Sequence, residues 1–201
     1  MTSQILFTVL IGLVGLERVA ELIVARRNAG WAFARGGSEQ GGGHYPVMVI
    51  LHTGLLVGAL VEVWWLDRTF LPALGLTMLT LALASQGLRW WCIGTLGPRW
   101  NTRIIVVPGL PLVRRGPYRW LRHPNYVAVV VEGFALPLVH DAWVTAALFT
   151  LTNSALLTVR IRAENRALAA AAPTAEGAII PAPARADETT RADETTSGDG
   201  T

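Results

Sequence analysis

Apolar residues in this chain come in long unbroken runs, and the polar residues gather between them. Three runs, 4–25, 46–66 and 71–92, each reach the ~20 residues that a helix needs to cross a bilayer. Two shorter runs, 126–140 and 143–159, are separated by little more than Asp141. That spacing predicts a tight helical hairpin, its second helix continuing beyond the apolar stretch through Arg166. The pattern therefore predicts an all-α fold: a multi-pass integral membrane bundle of about five transmembrane helices, closed by a C-terminal helical hairpin.

The connections refine this picture. "GGSEQGGG" (36–43) reads as a flexible connector. In "NTRIIVVPGLPLVRRGPY" (101–118), β-branched residues, a "PG" and a second extended stretch predict a small hairpin or ordered loop beside the membrane. Residues 185–201 contain the hexapeptide RADETT twice, so 173–201 is expected to be a disordered low-complexity tail, and 1–172 the membrane domain.

Charge orients the helices. All 17 basic residues are arginine; 15 of them, against 8 acids, lie in residues 1–172. Twelve of these follow the first, third and fifth apolar runs, while the other two connections carry only Asp67 with Arg68 and His140 with Asp141. The positive-inside rule then places the N-terminus outside and the C-terminus in the cytosol of a multi-pass cell-membrane protein. Arginines so distributed are accounted for by topology and not by nucleic acid. The first run lacks a basic n-region and an A-x-A site, and so reads as a retained helix. Cys92 is the only cysteine, which excludes an internal disulfide and a multi-cysteine metal site; no metal is expected.

With 52% hydrophobic residues, the chain makes ionisable groups inside its apolar runs conspicuous. Glu17, Arg18 and Glu21 lie in the first run, Glu62 in the second, Arg89 in the third and Glu132 in the fourth. They either pair across helices or line a polar cavity open to the cytosol. His52, deep in the second run, reads as a hydrogen-bonded structural histidine. Glu132 falls less than two turns into a helix starting at Tyr126, where an arginine partner and a catalytic role are both open.

The most concentrated chemistry is "GPYRWLRHPNY" (116–126). It resembles the G-x-Y-x-x-x-R-H-P-x-Y signature of the isoprenylcysteine carboxyl methyltransferases and their bacterial relatives. "RIRAENRAL" (160–168) is similar to that family's R-x-x-x-E element, and together the two span roughly residues 95–168. The N-terminal half, with "ERVAELIVARRN" and "GGHYPVMVILH", looks like the bacterial subgroup associated with type III polyketide synthases. That resemblance implies a membrane enzyme using S-adenosylmethionine, an alkylpyrone or alkylresorcinol as lipid-like acceptor, and a polyketide synthase as pathway partner.

It also implies roles. His123, Pro124, Asn125 and Tyr126 carry over as cofactor contacts, Glu164 as a further one, and Arg160 as a residue near the substrate. Two positions depart from the family pattern: Ala128 stands where glycine is frequent, and Asn165 replaces the second of two adjacent glutamates. The chemistry is coherent with these roles. Tyr118, Trp120 and Tyr126 offer aromatic faces to a sulfonium, Arg122 and His123 donate to a carboxylate, and Glu164 accepts from an amine or ribose hydroxyls. A carboxylate acceptor needs only orientation, by Arg160, whereas a phenol needs a base, for which Glu132 or His123 is the candidate. A prenylcysteine-like carboxylate and a membrane reductase binding NADPH are the competing readings.

Overall fold

The computed structural model describes residues 1–171. Among them are five α-helices: α1 (Thr2–Phe33), α2 (Tyr45–Trp65), α3 (Pro72–Leu96), α4 (Pro124–Leu138) and α5 (Trp143–Ala171). The expected disordered tail lies outside the described residues.

Helix boundaries follow local chemistry. Pro72 and Pro124 open α3 and α4, where a missing N–H costs nothing and the ring already has a helical φ. α3 stops at Gly97, whose φ of 54° a side chain would resist. α1 runs eight residues beyond the apolar stretch, because its polar last turns find partners there. Asn28 donates to the carbonyls of Gly97 (3.1 Å) and Trp100 (2.7 Å).

Successive helices reverse direction, so the connections sort to two ends. At one end Gln4 donates to Asp67 at 2.9 Å, and Phe7 packs on His140 with centroids 5.5 Å apart. At the other, Asn101 donates to the Ala25 carbonyl at 2.9 Å and Arg160 to the Thr102 carbonyl at 2.8 Å. The first end holds the main apolar core, with Phe7, Ile11, Val63 and Leu136 at its centre. In the hairpin of α4 and α5, Gly133 lets the Phe149 ring close on the helix backbone; a Cβ there would collide with that ring.

Two helices, α2 and α5, are long and apolar enough to cross a membrane. α4 is apolar but has 15 residues, about 22 Å at 1.5 Å per residue, shorter than a ~30 Å hydrocarbon core. Large apolar side chains such as Leu13, Ile23, Ile50 and Leu151 are exposed, as helices in lipid require.

The strand expectation is corrected. β2 (Ile104–Val106) does not pair with residues after the "PG" but antiparallel with β1 (Ser38–Gln40), in register Ser38↔Val106 and Gln40↔Ile104. The glycine-rich connector thus contributes a strand. Arg103 reaches Glu39 at 3.3 Å across the pair, a contact that charge pattern alone does not announce.

Candidate functional site

A cavity of about 1590 Å³ opens among α1, α2, the loop after α3, the start of α4 and the second half of α5. The segment 116–126 forms its wall by backbone restriction. Gly116 adopts φ 55° and lies against Thr95 and Trp91, where a Cβ would clash, and Pro117 then tightens the chain into a 3-10 turn, Gly116–Arg119. Pro124 is buried and starts α4, leaving His123 at its cap position and Tyr126 in its first turn.

These residues meet α5 as the two motifs require. The Tyr126 hydroxyl donates to Glu164 Oε2 at 2.6 Å, and His123 Nδ1 lies 3.6 Å from the same oxygen. The His123 and Tyr126 rings stack at 5.4 Å and 28°. His123 Nε2 is 3.1 Å from Asn165 Oδ1, so the asparagine that departs from the family pattern steadies the imidazole. Glu164 keeps 30% of its side chain accessible, one oxygen still open to the cavity. Tyr118, Arg122 and Asn125 line the same space, and Asn125 Oδ1 is buried without a partner. Burial pushes the Tyr118 phenol well above its ordinary range, so it remains a neutral donor.

One turn before Glu164, Arg160 is 5% exposed and reaches inward. Its Nη2 donates to Thr102 O at 2.8 Å, its Nη1 meets Met48 Sδ at 3.1 Å, and its Nε has no partner. Two of its nitrogens are therefore engaged by the protein, and the third is buried without a bond.

Glu132, expected in a catalytic role, sits apart from this group. It pairs with Arg89, lies 3.3 Å from Arg18 and accepts from Gln86 at 3.1 Å, and it does not line the large cavity. Its carboxylate is placed to hold two arginines and not to meet an acceptor. Around it, Arg18 donates to Glu21 at 2.8 Å and to Gln86 at 2.9 Å, and Gln86 donates to Glu17. Arg18, Glu21 and Arg89 thus pair across helices and also line the cavity.

Several wall residues carry no sequence motif. Met48 is ordinary in an apolar run, and Thr102 acts through its backbone. Asn153 was legible in principle, as an amide alone in the apolar run 143–159; it is 2% exposed, lines the cavity and leaves Oδ1 without a partner.

Residues 78–170 match the sequence model of the isoprenylcysteine carboxyl methyltransferase family. The chain is also similar to the uncharacterized protein YpbQ of Bacillus subtilis, with 39% identity over 172 residues, covering 81% of this chain and 96% of the relative. An uncharacterized protein of Haemophilus influenzae is 25% identical over 154 residues, covering 75% of this chain and 88% of the relative. The family match takes in both motifs and Arg89, while the similarity to YpbQ reaches further, into the half that holds α1 and α2.

Proposed function

The chain belongs to the isoprenylcysteine carboxyl methyltransferase family, a family of membrane methyltransferases, and on that premise we propose that it is an S-adenosylmethionine-dependent O-methyltransferase of lipid-like acceptors, specifically of an alkylpyrone or alkylresorcinol polyketide. In this reading all five helices lie in the cell membrane, α4 partly packed in protein, with the N-terminus outside, and the cavity opens at the cytosolic face. A type III polyketide synthase is the pathway partner that would supply such an acceptor.

The observation that carries the reading is the continuity of one cavity from polar to apolar chemistry. Its motif end presents Tyr118, Arg122, His123, Tyr126 and Glu164; its other end reaches Gly15, Val19, Leu56 and Val57 on α1 and α2. A water-soluble methyl donor and a lipid acceptor could enter such a space from opposite sides.

The residues present fit the donor. Glu164 and the unpartnered Asn125 Oδ1 accept from an amine or hydroxyls, Arg122 donates to a carboxylate, and Tyr118 and Tyr126 offer aromatic faces to a cation. When bound, S-adenosylmethionine supplies a methyl group on a sulfonium sulfur. The protein's task is then positioning and exclusion of water: holding the acceptor oxygen in line and keeping the site dry. Arg160, anchored on Thr102 with Nε free, orients the acceptor's oxygen-bearing end.

The test is incubation of membranes containing the protein with labelled S-adenosylmethionine and separate alkylresorcinol, alkylpyrone and prenylcysteine acceptors. Label should enter the first two. Label only in the prenylcysteine acceptor would reassign the substrate, and binding of NADPH without methyl transfer would replace the reading by a reductase.

A further inference from the structure

Deeper in the cavity lies a second polar position that neither motif contains. His52 lines the cavity on α2, one turn past Met48, whose sulfur touches Arg160. Its Nδ1 is 2.8 Å from the Met48 carbonyl oxygen. A carbonyl can only accept, so Nδ1 carries the proton, and a neutral imidazole then keeps its lone pair on Nε2. Phe149 packs edge-on against the ring, with centroids 5.3 Å apart at 87°, which fixes the ring plane. Asn153, one turn along α5 from Phe149, lines the same cavity, its amide oxygen buried and without a partner.

We propose that His52 is the general base of the transfer, and that the acceptor arrives as a neutral phenol or enol on an apolar tail. This rests on the methyltransferase reading and narrows its substrate class. A lone pair demands a hydrogen-bond donor; a hydroxyl-bearing ring supplies one, and an ionised carboxylate has none to give. The two bases suggested by sequence are otherwise engaged: Glu132 by Arg18 and Arg89, His123 by Glu164 and Asn165.

In the step, the acceptor's O–H bond breaks and its proton goes to His52 Nε2. The oxygen's electron pair forms the new O–CH3 bond, while the methyl–sulfur bond breaks and leaves its pair on sulfur, now a neutral thioether. His52 borders a small internal void of about 10 Å³ together with Arg18 and Glu132, so that a carboxylate held by Arg18 and Arg89 lies beside the new imidazolium.

The experiment has an arm that needs no methyl donor. An alkyl nitrophenol, whose absorbance shifts when it ionises, is added to the purified protein in detergent at a pH below its own pKa. The wild type should bind it and raise its ionised fraction. His52→Asn, which keeps an N–H for the Met48 carbonyl but removes the base, should bind it un-ionised. In the second arm, turnover of an alkylresorcinol should fall ~10²–10⁴-fold in His52→Asn and in His52→Gln, with donor affinity unchanged. The loss should shrink steadily as the acceptor phenol is made more acidic. Ionisation of the nitrophenol by His52→Asn as complete as by the wild type, or an equal loss on acceptors of every acidity including prenylcysteine, overturns the assignment. Wild-type protein that transfers label to no acceptor sinks the methyltransferase reading instead, a result separable from the donor-free arm.

Discussion

Glu62 and Glu164 are both glutamates on long helices, and the two ends of the bundle use them in opposite ways. Glu62 is saturated. It accepts from Arg68 at 2.8 Å, from the Val144 and Thr145 backbone N–H groups at 3.1 and 2.7 Å, and from the Thr145 hydroxyl at 2.8 Å. Those amides open α5 and have no carbonyl partner within it, so one carboxylate both caps a helix and ties it to α2. Glu164 receives one hydroxyl and a more distant imidazole, and leaves the rest of its carboxylate facing open space. The first end spends its polar groups on cohesion, and the second holds them in reserve for a ligand.

This contrast can be broken by substitution, and the largest effect belongs to the saturated end. Glu62→Ala should lower stability by about 3–5 kcal/mol, because it strands Arg68 and the first amides of α5; thermal unfolding in detergent would register it. Donor affinity of the protein that remains folded should be unchanged. Glu132→Gln, in the network between the two ends, should cost about 2–3 kcal/mol, since Arg89 loses a charged partner while buried. A loss of activity there without loss of stability would contradict a holding role.

Glu164→Gln should leave the unfolding temperature within error while weakening S-adenosylmethionine binding ~10–100-fold, the worth of about 1.5–3 kcal/mol for a bond to a charged group. Calorimetric titration checks it, and an equal drop in stability would erase the distinction between the two glutamates. The smallest effect is expected for Ala128→Gly, which installs the residue frequent in the family at a position with 0% exposure. It should cost about 0.5–1 kcal/mol of helix stability and leave donor binding as it was, if close helix approach there is not limiting.

Much of the architecture was readable from pattern. The apolar runs mark all five helices, the run from Tyr126 finds α4 although the helix opens at Pro124, and Asp141 marks the hairpin between α4 and α5. That Tyr126 and Glu164 belong to one site was legible only through the family resemblance, which implies both as cofactor contacts. The pairing of Ile104–Val106 with the connector was not, because strands of three residues carry too little period to identify a partner across 60 residues of chain. Glu132 was ambiguous for a related reason: its position within an apolar run states that it needs a partner, without saying which helix will bring one.

What the chain determines by itself is the set of costs: which segments must leave water, where helices must start and stop, and which charges cannot stay alone in an apolar run. Those follow from local backbone chemistry and transfer free energy, which depend on neighbours in sequence. Only the packed bundle decided which partner meets each cost. It gave Glu132 to two arginines, closed Glu62 onto α5, and set Glu164 and His52 along one cavity, because pairing energy depends on distances that form when separate helices come together.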